Sequence, residues 1–525
     1  MKELVFEELT VEQKLGLVLI GGHWKPFGYD KDDAAFHMEM IKKHALGAVW
    51  VSCNTAAGEY RETIRLLREA ADYPLLICTD MESGFEDYRI GDHIALGYLA
   101  DEAHAHAFGR VVGYEASQAG YSVVCNPLLD RVDRNTPCGG VVRSLHPDKE
   151  VCAHLAAAMA RGMQEGGVLT VGKHYPSARS AFDTHMAEAS SPVDRETLIG
   201  ENLYPYRVLM KDDLLDGVMV GHTTLSAIDP DAPATVSKPV KDVLRSLGFD
   251  GLMLTDAMTM MGVVQKFGLD GSRALSISTG NDLCLPFSKL SDAYASLEKA
   301  YKSGVITDER LDEAVRRVLA AQHNAATRTQ NKPSDEDYTL LHEINRNGVA
   351  AITDEGVSVT IPRDGRHLFV LLTEDTIDLD RPHDNDSLTV SWYDPFRLAD
   401  HIKARFPASA VASINEFPPR GDIAALCNKQ TECDDIIFVT FFNHYPYIGD
   451  ERFTPRIISM FKAWQISGRL AAVVHFGNPY LLEDLPHLPR VINACKSFEA
   501  TLAAIDVLAG KLPAKGKIPY NIRLQ

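Results

Sequence analysis

The sequence predicts an α/β protein, a (β/α)8 barrel followed by a second, smaller α/β domain. Three observations predict it. Short apolar runs bounded by polar residues recur through the first three hundred residues. Segments with helical periodicity separate them. A polar, proline-interrupted stretch, TRTQNKPSDEDY, then breaks the alternation before it resumes.

The runs are Leu15–Ile20, Gly47–Ser52, Pro74–Asp80, Tyr121–Pro127, Val168–His174, Gly217–His222, Gly251–Asp256 and Asn281–Pro286. Continuous apolar runs suit parallel strands covered on both faces better than half-exposed antiparallel ones. Between them, GEYRETIRLLREAA places Tyr60, Ile64, Leu67 and Ala71 on one helical stripe. SKPVKDVLRSLG has Ser237 as N-cap, Pro239 in the first turn and Gly248 past the end. Asp148 and Asp194 are placed to cap two more helices. Eight strands alternating with helices fit a closed barrel better than an open sheet. The barrel is expected over 1–325, a linker over 326–347 and the second domain over 348–525. In that domain the apolar runs are Val357–Ile361, His367–Leu372, Ile436–Phe442, Leu470–Phe476 and Val491–Ala494, with helix-like stretches such as Ala500–Ala509.

Bulk properties narrow the function classes. The 525 residues are enough for two cores. A formal charge of −19 with no basic run argues against a nucleic-acid partner. The N-terminus MKELVFEELTVEQKLG interleaves acidic with apolar residues and does not read as a secretory signal. No apolar run is long enough for a membrane span. Nine cysteines without a C-x-x-C pair, several inside apolar runs, suit reduced thiols in the cytoplasm and no structural zinc.

In a barrel, chemistry collects at the C-terminal ends of the strands. Reading those ends gives Asp80, Lys173-His174, His222 and Asp256. Any one alone suits an ion-paired strand end or a satisfied core histidine; together at one rim they point to a site for a polar ligand. Cleavage of a glycosidic bond with retention needs a nucleophilic carboxylate and a second group that gives, then takes, a proton. Asp256, between GLMLT and the helix-like AMTMMGVV, suits the first role. His185 suits the second, with Asp183 orienting its ring and favouring the imidazolium. An unperturbed histidine titrates near ~6.5, close to working pH. The plain alternative for Asp183-Thr184-His185 is an Asx-turn in a solvated loop. No metal or cofactor is expected, since no Gly-rich phosphate loop follows a strand.

Seven segments, in order from Leu9 to Leu319, resemble glycoside hydrolase family 3, in its bacterial N-acetyl-β-glucosaminidase branch. They are TDMES, GYSVVCNPLLDRV, VVRSLHPDKE, GKHYP, DTH, VMVGHTTLSAIDPDAPATVS and LMLTDAMTM. FGNPYLLEDLP and VLAGKLPAKGKIPYNI resemble the family's C-terminal α/β sandwich domain. The resemblance implies a TIM-like barrel with Asp256 as nucleophile and His185 as acid/base, oriented by Asp183. It implies a sugar-binding set of Asp80, Arg143, Lys173, His174 and His222. The substrate would be a small glycoconjugate or oligosaccharide carrying terminal β-linked GlcNAc.

The sequence also departs from the family pattern. Ser177-Ala178-Arg179 replaces a glycine-containing loop, and Lys173 to Asp183 is one residue shorter. Losing those glycines restricts how such a loop closes. Asp80-Met81-Glu82-Ser83-Gly84 replaces a double glycine, and Tyr88 stands where an arginine is expected, with Arg89 next. Arg179 is open to two readings, a solvated loop charge or a contact to an anionic substrate. Because the dyad offers an incoming acceptor no carboxylate, phosphate can stand in for water, so a phosphorylase is an alternative. A β-glucosidase and a non-catalytic sugar-binding protein are the others. The second domain's role is left open among packing on the barrel, mediating a homodimer and lending a loop to the site.

Overall fold

The computed structural model describes residues 2–22, 31–53, 57–136, 140–178, 180, 182–373, 377–379, 394–441 and 452–523. These form two compact units. One comprises Met1–Arg89, Asp101–Pro137 and Ser144–Leu341; the other comprises Ile90–Ala100, Cys138–Arg143 and His342–Gln525.

In the first unit, strands β1 (Ile20–Gly21), β2 (Ala48–Trp50), β3 (Leu76–Thr79), β4 (Val123–Val124), β5 (Leu169–Tyr175), β6 (Gly217–Val220) and β7 (Leu252–Thr255) lie side by side in that order. Every pairing is parallel. Residues 283–285 (β8) close the ring. Thr255 N–H donates to the Leu283 carbonyl at 3.0 Å on one side, and Ile20 N–H to the Cys284 carbonyl at 2.9 Å on the other. The sheet therefore becomes a barrel with no edge to cover.

Alternate residues from all eight strands share one buried cluster: Ile20, Ala48 and Trp50, Leu76 and Cys78, Val123, Leu169 and Val171, Met219, Leu252 and Leu254, Leu283 and Leu285. Successive side chains of a strand point to opposite faces, so this set is the barrel interior. Helices flank the strands as their caps predict. Ser237 accepts from Val240 N–H, Asp148 from Glu150 and Val151, and Asp194 from Thr197. Gly248 takes φ +94°, a left-handed value that favours glycine after a helix.

Two expectations give way here. In the run Leu15–Ile20, Leu15 to Leu17 finish a helix, Val11–Leu17, and the strand begins at Ile20. A capping box decides it: Thr10 accepts from Gln13 N–H while Gln13 caps Thr10 N–H in return. Within 326–347, Asp335–Asn347 is a helix. Ser334 and Asp337 cap it reciprocally, the Ser334 N–H donating at 2.7 Å to the Asp337 carboxylate, which outweighs the loop-like composition.

The second unit holds a sheet of β9 (Ala350–Thr353), β10 (His367–Leu372), β11 (Ala410–Ile414), β12 (Asp435–Phe441), β13 (Leu470–Phe476) and β14 (Arg490–Ala494). Their order is β9-β14-β13-β12-β10-β11. Only β9 runs antiparallel, against β14. Val357–Ile361 is irregular, not the expected strand: Val357 N–H turns back to the Asp354 carbonyl, and the edge position belongs to β9. Strand β11, a stretch of small residues, escaped the sequence reading. The C-terminal helix Phe498–Leu508 lies where one was expected.

Salt links fasten the barrel at the N-terminal ends of its strands. Asp282, just before β8, is fully buried and meets Arg245 at 2.9 Å, Arg310 at 2.6 Å and Arg317 at 3.4 Å. It also accepts the Met253 N–H. Replacing Asp282 with Ala removes the one buried carboxylate that three arginines share and is expected to cost about 3–5 kcal/mol, read as a fall in the thermal midpoint.

In the second unit His367 is buried with Nδ1 on the Asp435 carboxylate at 2.5 Å and Nε2 on the Pro362 carbonyl at 2.7 Å. Burial opposes its protonation, but Asp435 and that carbonyl outweigh it and raise the imidazole above its ordinary value. A raised folded value adds stability below the unfolded pKa of ~6.5 that is lost as pH rises through the folded one. The thermal midpoint of the wild type should therefore fall across that alkaline-side window, and His367→Gln should flatten the fall.

Candidate active site

The inward alternation of the barrel does not stop where the strands stop. Leu76 and Cys78 lead in phase to Asp80, Leu169 and Val171 to Lys173, and Leu252 and Leu254 to Asp256. Each chain leaves its strand with a charged group at the mouth, where the apolar interior ends.

Lys173 is 1% exposed, yet its ammonium is doubly paired. It meets Asp80, and Glu82 at 2.6 Å. A buried ammonium is tolerated only with such partners. Glu82 was noted in the sequence only as a departure, without a role. Its side chain comes from the turn ahead of the small hairpin Gly84–Phe85/Tyr88–Arg89, beyond the strand-end pattern that identified the others.

His174 should face away from the interior by alternation, and a break in register prevents it. Lys173 pairs with Met219 and Tyr175 with Val220, so His174 is skipped. A bulge of this kind re-aims a side chain. His174 Nε2 lies 4.0 Å from the Asp256 Oδ2, and Nδ1 lies 2.6 Å from Asp130 Oδ2. Asp130 was also missed. It sits in the loop after β4, six residues past Val124, where neither strand phase nor helical spacing marks it.

Asp256 Oδ1 accepts the Ala257 N–H at 2.7 Å, and its own N–H donates to the Val220 carbonyl at 3.0 Å. Burial alone would raise its carboxyl. The fields of His174 and His222, the Ala257 N–H and the field of His185 overcome that and hold it below the ordinary aspartate value. The group is an anion at neutral pH.

His222 is placed differently from the other strand-end residues. It falls one position out of the inward phase, is 1% exposed, and has both ring nitrogens engaged by the protein. Nδ1 lies 2.6 Å from Thr235 Oγ1 and Nε2 3.1 Å from the Ala257 carbonyl. A carbonyl only accepts, so Nε2 donates to Ala257, while the Thr235 hydroxyl beside Nδ1 donates to the Val220 and Gly221 carbonyls. Burial chiefly lowers this imidazole's pKa, against the pull of Asp256. His222 therefore stands behind Asp256, against the Ala257 peptide.

The loop after β5 carries Asp183 and His185. Asp183 Oδ1 accepts the His185 N–H at 2.9 Å, an Asx-turn, and also contacts His185 Nδ1 at 2.6 Å. The Gly262 N–H donates to the Thr184 carbonyl at 2.8 Å, and the Met261 N–H to His185 at 3.4 Å. These bonds tie the dyad to the first turn of the helix Met261–Ser278, a few residues after Asp256. A Cβ at Gly262 would stand 3.1 Å from Thr184, so the close approach calls for glycine there.

The remaining expected residues are placed as follows. Arg143 ends the short helix Gly140–Arg143, in a segment of the second unit, where its carbonyl bonds His93 Nδ1 at 2.7 Å. Arg179 lies outside the described residues. No group of three or more metal-ligating side chains occurs among the described residues, and none of their helices is long and apolar enough to cross a membrane.

The chain is 26% identical over 531 residues to a β-N-acetylglucosaminidase/β-glucosidase of Cellulomonas fimi, covering 91% of this chain and 88% of that one. It is 29% identical over 288 residues to a β-hexosaminidase of Alkalilimnicola ehrlichii, covering 52% of this chain and 78% of the relative. Its fold matches that of a glycoside hydrolase family 3 β-N-acetylglucosaminidase from Paenibacillus sp. with a TM-score of 0.81 at 23% identity, over 98% of this chain and 100% of that one. With residues 10–321 matching the glycosyl hydrolase family 3 N-terminal domain, the chain belongs to that family of glycoside hydrolases.

Proposed function

We propose that this glycoside hydrolase is a retaining exo-β-N-acetylglucosaminidase that releases terminal β-linked GlcNAc from small glycoconjugates such as cell-wall fragments or chitooligosaccharides. The observation that carries the reading is the pairing of an ionised Asp256 at the barrel mouth with an Asp183–His185 dyad fastened to the helix that follows it.

In this reading an Asp256 carboxylate oxygen attacks the anomeric carbon. The bond from that carbon to the leaving oxygen breaks, and His185 supplies that oxygen with a proton. Asp183 holds Nδ1, so the exchange runs through Nε2. In the second half, His185 takes a proton from water as the water oxygen attacks the same carbon and releases Asp256. Two inversions give net retention. Asp80, Lys173 and His174 bind the first sugar by charged hydrogen bonds, because a sugar offers little apolar surface. Arg143 joins this set by resemblance. The Cellulomonas relative is named for both activities, so a glucoside is the nearest competing substrate. Dyad chemistry also admits phosphate in place of water, since an imidazole does not repel that anion as a carboxylate would. The buried thiols Cys78, Cys125 and Cys284 support a reducing, cytoplasmic setting.

A screen of aryl glycosides, with and without phosphate, tests this. Cleavage of the aryl N-acetyl-β-glucosaminide faster than the glucoside is expected, with the β-anomer formed first by proton NMR. Faster glucoside cleavage moves the substrate to glucose, and a sugar phosphate product marks a phosphorylase. Binding without turnover on any substrate rejects the enzyme reading. Asp256→Ala should lose about 10³-fold or more in kcat/KM. His185→Ala should lose about 10²–10⁴-fold on a substrate with a basic leaving group, and far less on a nitrophenyl one that leaves unprotonated.

A further inference from the structure

His174 is gripped from behind at two points. Asp130 Oδ1 accepts its backbone N–H at 3.1 Å, and Oδ2 lies 2.6 Å from its ring Nδ1. The loop bearing Asp130 is itself laid along β5. Leu128 bridges Lys173 in parallel, and the Leu129 N–H donates to the Lys173 carbonyl at 2.6 Å. Further along, the Ser144 hydroxyl donates to the Asp130 carbonyl at 3.0 Å.

We propose that Asp130 is a positioning residue for the reaction, fixing the ring of His174 so that Nε2 is presented to Asp256. The inference rests on Asp256 being the nucleophile. A carboxylate facing Nδ1 puts a proton there and settles which nitrogen points forward. The ring that results sits 4.0 Å from Asp256 Oδ2, the atom not held by the Ala257 N–H. One oxygen of Asp256 thus accepts a backbone N–H, and the other faces, beyond hydrogen-bond distance, the ring that Asp130 orients.

The consequence for Asp256 follows from its surroundings. Burial raises its carboxyl; the field of His174 is the largest one opposing this, ahead of His222 and His185. Cys125, also fully buried, faces it with Asp80 and Lys173. Around Asp130 stand Arg131, whose guanidinium pairs with Glu201 at 2.8 Å, and the buried Cys152 and Tyr206 from the flanking helices. If the ring swings away when Asp130 is neutralised, Asp256 loses its main counterweight. Its carboxyl rises, and the acid limb of kcat/KM moves to higher pH.

The test compares wild type, Asp130→Asn and Asp130→Glu. Long-range proton–nitrogen spectra of histidine-labelled protein, with His174→Gln to assign the ring, read the Nδ1 proton without reference to activity. Asp130→Asn should shift or lose that signal; unchanged ring signals overturn the proposal even if no glycoside is ever cleaved. On an aryl N-acetyl-β-glucosaminide, Asp130→Asn should reduce kcat/KM by about 10–100-fold and raise the acid limb, with kcat more affected than KM. Asp130→Glu, which keeps the charge, should restore the limb and part of the rate. An acid limb that superimposes on that of an active wild type also overturns the idea. Absence of wild-type turnover, with the ring signal behaving as expected, would sink the nucleophile assignment and leave the Asp130–His174 pairing standing.

Discussion

Closure of the barrel by residues 283–285 is the constraint on which the site depends. A parallel strand has no hairpin partner, and its outward N–H and C=O groups must find another strand or water. With β8 bonded to β7 on one side and β1 on the other, all eight strands stand in a ring. Only a ring brings Asp80 just after β3, Lys173 on β5 and Asp256 just after β7 to face a shared centre; in an open sheet their ends would be spread along a line. The ring is fastened at the end opposite the candidate site. Asp282 gathers three arginines, and Asp216, before β6, takes a bidentate grip from Arg328 at 2.6 and 3.0 Å and the Thr170 N–H at 2.9 Å. Both acids lie at N-terminal strand ends, so stability and reactivity occupy opposite mouths of one barrel.

At the reactive mouth, each charge is held by a second group that cannot move freely. Lys173 is locked by Asp80 and Glu82, His174 by Asp130, His185 by Asp183, and Asp256 by the peptide of Ala257. That peptide is in turn held by His222, which Thr235 orients. Thr235 ends in a buried knot: its carbonyl accepts from Lys241 at 2.7 Å and from Asn281 at 2.7 Å. Such backing turns flexible side chains into fixed dipoles, which stabilise developing charge without reorganising when the bond breaks.

Much of this was legible in the sequence, and the limits have physical causes. Strand ends carry their own signature, an apolar run stopping at a charge, and that signature found Asp80, Lys173, His174, His222 and Asp256 together. It failed for Asp130 because the partner that gives it meaning is 44 residues away. It passed over Glu82 because its carboxylate leaves from a turn. The placement of His222 follows from phase: in GVMVGH the inward phase runs through Met219, and two residues on is Gly221, so the histidine points behind. His174 is the converse, out of phase by count and brought in by a register break that no residue type announces. In the second unit, β11 was invisible because small residues carry little hydrophobic contrast, while Val357–Ile361 had the contrast without a neighbour to pair with.

The same phase argument explains how a departure from the family pattern is tolerated at Glu82. The barrel fixes Lys173 by alternation within β5, whatever the loop after β3 contains. A second carboxylate arriving from that loop finds an ammonium already buried, desolvated and unable to retreat, so pairing with it costs little further desolvation. Burial disfavours the ionised form of Asp256, and the field of His174 is the largest one opposing it. The ring of His174 lies 4.0 Å from Asp256 Oδ2, which makes its orientation, and the aspartate behind it, a lever on the charge of that carboxylate.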